Sequence, residues 1–486
     1  MNDNALKKQT VSGVFWKFAE NGLGQIVNFI ISIVLARLLL PEDYGIIALV
    51  SVFVTLCDKL VISGLATSLI QKKDADNKDF STIFYFSLGM SFVLYAVLYF
   101  LAPFIADFYS AYNRELLISV IRVMGIQVIV TAVNSVQSAY VSNTMQFKRF
   151  FWSNLGGMIL SAVVGIIMAL RGFGVWALVA QYLVKATGSM LVLWFTVKWR
   201  PSLVFSLKRF KALYSYGWKI FAASIIKVLY NDLRSLVIGK YYNAASLAYY
   251  NKGQSFPQIV EGCVGGAIDS VFFPTMSKVQ DSKEKMLSIL RRTIKVSTYF
   301  ITPLLVGLAA VAEPLVVLLL TEKWLPCVFY LQIISISFVF APIEIENLQA
   351  IKALGRSDIV LKLEIIKRVV GTVLIFCAVP FGVKVIAISL LVGNILSSAI
   401  NAYPNRKLLG YSYRRQFLDV LPPMIMSTVM FFAVRIIMVL DLSNVVLLAI
   451  QIFTGLVVYV LMSIVTKNES YIYVLSIIKS FLKKKV

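Results

Sequence analysis

Apolar runs of roughly 20 to 28 residues, broken by short polar segments, follow one another along the chain, and each is long enough to cross a bilayer as an α-helix. They place spans near 13–39, 45–71, 80–106, 116–141, 151–170 and 175–197. After a basic segment come 213–238, 248–275, 293–320, 325–350, 360–380 and 385–404, with a last pair near 418–440 and 445–466. The predicted fold class is an all-α polytopic membrane protein of about fourteen transmembrane helices, with no intervening segment long enough for a soluble domain. The first run, interrupted by Lys17 and Glu20, lacks a small-residue cleavage site and reads as a retained span.

The pattern repeats itself after about 203 residues. Trp16-Lys17 falls on Trp218-Lys219, Arg37 on Lys240 and Phe53 on Phe256, and Phe173-Gly174-Val175 returns as Phe381-Gly382-Val383 at a slightly larger step. Six is an even number of spans, so both halves start on the same side and the repeat is parallel. The expected division is residues 1–211 as one six-helix bundle and 212–416 as a second, followed by 417–486 as two extra helices and a basic cytoplasmic tail. A binding site is expected between the halves.

Composition agrees with the pattern: 59% of residues are hydrophobic and 15% charged, and the mean hydropathy is +0.81. A net charge of +23 would suggest nucleic acid in a soluble chain, but its placement decides otherwise. With the N-terminus inside, 29 cations fall in inside segments against six outside, namely Arg37, Arg114, Arg171, Lys240, Lys323 and Lys384. The positive-inside rule then puts both termini in the cytoplasm. Cys57, Cys263, Cys327 and Cys377 are dispersed without metal-ligand spacing and read as inert thiols. The chain has no histidine and no G-x-x-x-x-G-K-[ST] segment, which removes histidine-based catalysis and an ATPase of its own. No catalytic residue, metal or cofactor is expected; binding and conformational exchange is the class that remains.

Lys59, Lys185, Lys227 and Glu261 lie near the middles of their spans. An ionised side chain there opposes insertion by roughly 2.5 to 3.5 kcal/mol unless partners or water offset it. Helical periodicity extends these charges into polar faces: Lys17, Asn21, Gly24 and Asn28 on span 1; Ser51, Thr55 and Asp58 with Lys59 on span 2; Gln181 and Lys185 on span 6. Span 7 carries Lys219, Lys227, Tyr230 and Arg234, and span 8 carries Asn251, Gln254, Gln258, Glu261 and Asp269, with Pro257 expected to interrupt it. A cavity biased toward cations suits an anionic substrate such as a phosphate or diphosphate. Its candidate binding residues are Lys59, Lys185, Lys219, Lys227, Arg234, Asn28, Gln254 and Gln258, with Asp58, Glu261 and Asp269 as candidates for ion coupling. The competing reading is interhelical ion pairs that join the lysines to Asp58, Asp232 or Glu261. Lys295, Lys367 and Arg368 sit near span ends and are expected to snorkel to headgroups, and Glu344 and Glu346 to cap or solvate the inner end of span 10.

Several strings carry a family resemblance. LARLLLPEDYGIIALVSVFVTLCDKLVISGLATSLIQKKD at 35–74 resembles the opening span pair of Wzx-type oligosaccharide flippases, in the polysaccharide transport branch of the multidrug/oligosaccharidyl-lipid/polysaccharide superfamily. NDLRSLVIGKYYNAASLAYYNKGQSFPQ at 231–258, VFFPTMSKVQ at 271–280 and ALGRSDIVLKLEIIKR at 353–368 agree with it. The resemblance implies two six-helix bundles forming a V around a central cavity, plus two C-terminal helices. It implies a polyprenyl-pyrophosphate-linked oligosaccharide turned from inner to outer leaflet for capsule, exopolysaccharide, O-antigen or teichuronic acid-like export, driven by ion exchange or membrane potential. A polysaccharide polymerase and chain-length machinery are the implied protein partners. Two alternatives remain at this point. A multidrug or cation antiporter of the same superfamily would carry acidic excess in its cavity, and a membrane transferase would need catalytic residues on a substantial outer loop.

Overall fold

A computed structural model describes residues 3–62, 68–69, 75–440 and 442–483. Among them the chain is all helix. The first group comprises α1 (Asp3–Leu38), α2 (Pro41–Ile62), α3 (Asn77–Phe108), α4 (Arg114–Asn143), α5 (Phe147–Leu170), α6 (Val175–Thr196) and α7 (Leu207–Tyr241). There follow α8 (Ala244–Ser277), α9 (Lys283–Ala310), α10 (Ala312–Leu320), α11 (Cys327–Phe338), α12 (Ala341–Ala353) and α13 (Ser357–Ala378). The last are α14 (Val383–Leu408), α15 (Tyr413–Ile436), α16 (Asn444–Val465) and α17 (Glu469–Lys483). Ten segments of the described residues are long and apolar enough to cross a membrane, with α11–α12 counting as one, so the chain is a multi-pass membrane protein.

By internal packing the chain forms two compact units, Met1–Ala248 and Tyr249–Val486. In the first, α5 packs on α6 and α1, α3 on α4, and α2 on α4 and α7. The α5–α6 seam is close because glycines line it: a Cβ on Gly188 would lie 3.1 Å from Gly157 Cα. Ser153 Oγ crosses the seam to donate to the Ser189 carbonyl at 2.6 Å. An aromatic cluster of Phe80, Phe84, Tyr140, Trp194 and Trp199 fixes the α6–α7 connection against the start of α3. Trp199 Nε1 donates to Asn77 Oδ1 at 2.6 Å and Gln137 Nε2 to the Trp199 carbonyl at 3.1 Å. Asp76 caps α3 by accepting from the Asp79 amide, and the Arg209 guanidinium pairs with both carboxylates.

In the second unit α9 is central, packed on α15, α11 and α12, with α14 against α12, α11 and α13. Its interior holds an amide cluster with no exposed member. Asn347 Nδ2 donates to Gln416 Oε1 at 2.6 Å, Gln416 Nε2 returns a bond to Asn347 Oδ1 at 3.0 Å, and Asn405 Nδ2 reaches the same oxygen at 2.7 Å.

One corner recurs: α1 ends at Leu38 and α7 at Tyr241, α2 opens at Pro41 and α8 at Ala244, a step of about 203 residues both times. Gly174 (φ +52°) and Gly382 (φ +103°) directly precede α6 and α14, so the repeated Phe-Gly-Val string supplies a residue without Cβ where the backbone needs left-handed φ.

Two expectations are corrected. Pro257 does not interrupt its helix, since α8 runs unbroken through both Pro257 and Pro274. The expected 293–320 span is instead broken at Val311 between α9 and α10, with the Val311 amide closing on the Gly307 carbonyl. The tail after the last span contains α17.

Candidate functional site

The predicted residues distribute over both units. Asn28 on α1, Asp58 and Lys59 on α2, Lys185 on α6, and Lys227 and Arg234 on α7 belong to the first; Gln254, Gln258 and Glu261 on α8 belong to the second. The side chains of Lys219 and Asp269, like those of Lys17 and Asn21, lie outside the described residues.

Lys185 stands midway along α6, ten residues from its start, hence about 15 Å from either end. It is half-buried, and its Nζ approaches Asn28 Oδ1 at 3.4 Å. Among the described residues it has no ion-pair partner, so an ammonium with three donors faces one neutral amide oxygen. The α5–α6 seam fixes its backbone, because a Cβ on Gly157 would meet the Lys185 carbonyl oxygen at 2.7 Å. Asp58, also half-buried, accepts from Gln127 Nε2 of α4 at 3.1 Å. The adjacent Lys59 is exposed and makes no salt bridge with it among the described residues. Lys227 is likewise exposed and unpaired among them, while Arg234 is half-buried with its Nε enclosed and lacking a hydrogen-bond partner. Gln254 and Glu261 are half-buried and Gln258 is exposed. Lys185–Asn28 and Asp58–Gln127 are thus two separate pairs, and neither joins a lysine to a carboxylate.

Ion pairing occurs where snorkelling was expected. Lys367 Nζ lies 3.0 Å from Glu344 Oε1 and 2.7 Å from Glu364 Oε1, and Arg368 reaches Glu364 at 3.5 Å. Lys295 bridges Glu469 at 2.7 Å and Asp419 at 3.2 Å. Glu346 neither caps nor solvates a helix end: it is 3% exposed and accepts from Ser297 Oγ at 3.3 Å.

Sequence reasoning passed over three features. Gln127, Thr131 and Asn134 form an i, i+4, i+7 polar row on α4, a periodicity visible in the sequence that supplies Asp58 with its partner. Arg122 on the same helix stacks 4.1 Å over the Tyr99 ring and donates to the Tyr99 carbonyl. Lys252 is 7% exposed with its Nζ 5.6 Å from the Trp324 ring centroid, beside Gly253, where a Cβ would strike Tyr330 at 2.7 Å. Nothing local in the sequence marks Lys252 as buried.

The described residues hold no cluster of metal-ligating side chains, and the four cysteines are unpaired. An unpaired midhelix cation on a neutral amide partner, as Lys185 is, can neutralise an anion at depth.

Comparison with known proteins gives the same direction. The family model described as "Polysaccharide biosynthesis protein" matches residues 34–329. The lipopolysaccharide biosynthesis protein WzxC of Escherichia coli is 26% identical over 437 residues, covering 87% of this chain and 86% of its own. The succinoglycan biosynthesis transport protein ExoT of Rhizobium meliloti is 25% identical over 299 residues; the match spans 61% of this chain and 60% of ExoT's length. Among solved structures, the lipid II flippase MurJ in an inward closed conformation superposes with a TM-score of 0.76 over 94% of this chain and 99% of its own, at 15% identity. The chain therefore has a MurJ-like fold.

Proposed function

Because the chain belongs to the polysaccharide biosynthesis protein family, whose model covers more than half of it, we propose that it is a flippase rather than an enzyme. Its substrate is a polyprenyl-diphosphate-linked oligosaccharide, moved from the inner to the outer leaflet of the bacterial cytoplasmic membrane for surface polysaccharide export. The observation that carries this reading is Lys185: a cation at the middle of a membrane helix, offered one amide oxygen and no carboxylate among the described residues. Such an ammonium suits a diphosphate that must shed water to cross. A doubly charged headgroup leaving a negative interior gains roughly 2.3 kcal/mol per charge per 100 mV, a drive that needs no nucleotide. Lys59, Lys227 and Arg234 assist in neutralisation, Asn28, Gln254 and Gln258 contact sugar or phosphate oxygens, and Asp58 and Glu261 serve ion coupling.

The finer architecture belongs to the same proposal: fourteen spans as two six-helix bundles at 1–211 and 212–416, two further helices, and both termini in the cytoplasm. The recurring corner and the paired glycines before α6 and α14 support it. The test is complementation of a flippase-deficient strain. The wild-type chain restores surface polysaccharide; Lys185→Ala inserts normally, fails to restore it, and leaves lipid-linked units on the inner leaflet. Full restoration by Lys185→Ala removes the site.

A further inference from the structure

In the second unit a cavity of about 500 Å³ lies between α9 and α17. Much of its lining comes from one i+4 row of α9 in a particular order: Glu284, Ser288, Arg292, Val296. The row continues as Phe300 and Leu304, which are 41% and 50% exposed. An acid, a hydroxyl, a base and then an apolar track succeed one another from the start of α9 inward, and Arg292 to Leu304 spans about 18 Å, comparable to one leaflet.

The other charges of the wall are already engaged. Arg291 grips Asp419 with bonds of 2.6 and 2.7 Å, and Lys295 holds Glu469 and Asp419. Arg292 has only the Tyr473 ring of α17, 4.9 Å from its guanidinium carbon, and Glu284 forms no ion pair among the described residues. A ring over the guanidinium still leaves its edge donors for an acceptor. The vacant valences of the cavity are therefore one cation and one anion, with the cation on the side of the apolar track. A purely anionic headgroup leaves Glu284 unmatched, and a free anion leaves the track unused.

We propose that this cavity binds a zwitterionic phosphoethanolamine lipid: phosphate on Arg292, ammonium toward Glu284, acyl chains along Val296, Phe300 and Leu304. The site is separate from the transport residues proposed above and does not depend on them. The experiment is native mass spectrometry of the purified full-length chain with short-chain phosphatidylethanolamine, short-chain phosphatidylglycerol, free phosphoethanolamine and inorganic phosphate as separate probes. Phosphatidylethanolamine is expected to be retained and the two tail-less probes not. Arg292→Gln lowers its retention about tenfold or more, as loss of a charge-assisted pair implies, and Glu284→Gln removes the preference over phosphatidylglycerol. Equal or better retention of phosphatidylglycerol by the wild type, equal binding of free phosphoethanolamine or phosphate, or wild-type retention in both variants overturns the proposal. Melting curves of both variants separate loss of binding from loss of fold: a fall in retention that comes only with a lowered melting midpoint also overturns it.

Discussion

Replacing Gly157 with alanine tests the seam that positions Lys185. The new methyl would sit 2.4 Å from Ser189 Oγ, 2.7 Å from the Lys185 carbonyl oxygen and 2.9 Å from the Ser189 amide nitrogen. The hydroxyl can rotate, but the two backbone atoms cannot, so α5 and α6 must separate by roughly half an ångström or more to restore ordinary contact. Overpacking of this kind costs about 1–3 kcal/mol. The neighbouring Gly156 is the control, since a Cβ there meets only Val192 Cγ2 at 3.5 Å. Gly156→Ala adds an ordinary contact and gains up to about 1 kcal/mol of helix propensity. Gly157→Ala gains the same propensity, so the two single-methyl variants should differ by the overpacking alone, about 1–3 kcal/mol, read as melting midpoints in detergent from tryptophan fluorescence. Because one displaced atom belongs to Lys185 itself, Gly157→Ala should also depress transport more than its stability loss predicts. Equal melting of the two variants would refute the close backbone seam and with it the fixed placement of Lys185.

Other outcomes follow from the second unit. Asn347→Leu leaves the buried Gln416 Oε1 without its donor and takes one acceptor from the Gln416 and Asn405 amides, which keep the Tyr411 and residue-347 backbone carbonyls, and should lower stability by about 1–3 kcal/mol, measured by thermal melting against the wild type. The hydrogen bond and charge of Lys295 hold the Glu469 carboxyl below its ordinary range. A depressed carboxyl contributes above its unfolded value, near 4.5, and loses that contribution as pH falls through its folded value. The docking of α17, followed by protease access to the tail, should therefore persist at pH 5 and weaken only at lower pH; release already between pH 7 and 5 would contradict this. Gly382→Ala should destabilise by about 1 kcal/mol from left-handed φ alone, as no atom lies within 4 Å of the added Cβ.

Much of the architecture was legible because membrane helices announce themselves by length and apolarity. Expected span ends at 170, 175 and 197 lie within a residue of the observed helices. The break at Val311 carried a signal that span length overrode: Glu313 and Pro314 follow it directly, an acidic residue and a proline in the first turn of α10. Pro257 misled for the opposite reason, since a proline in a membrane helix is tolerated when neighbours accommodate the freed carbonyl. Charges divided by the range of their partners. Glu364 lies three residues before Lys367 and was visible on the same face, whereas Glu344 comes from another helix and only the fold reveals it. Lys252 is hidden by Trp324, a distant residue in sequence. The Lys185–Asn28 contact joins two polar faces that periodicity had marked, but only the fold shows that they meet.

The most direct test of the account is reorientation of a polyprenyl-diphosphate-linked oligosaccharide in proteoliposomes with an imposed potential, using a lectin or glycosidase outside to report arrival. The wild-type chain should expose substrate loaded from the interior-facing leaflet at a rate that rises with an interior-negative potential, and Lys185→Ala should fall to the protein-free rate while melting like the wild type. Reorientation by Lys185→Ala at the wild-type rate would contradict the claim that a midhelix cation carries the diphosphate.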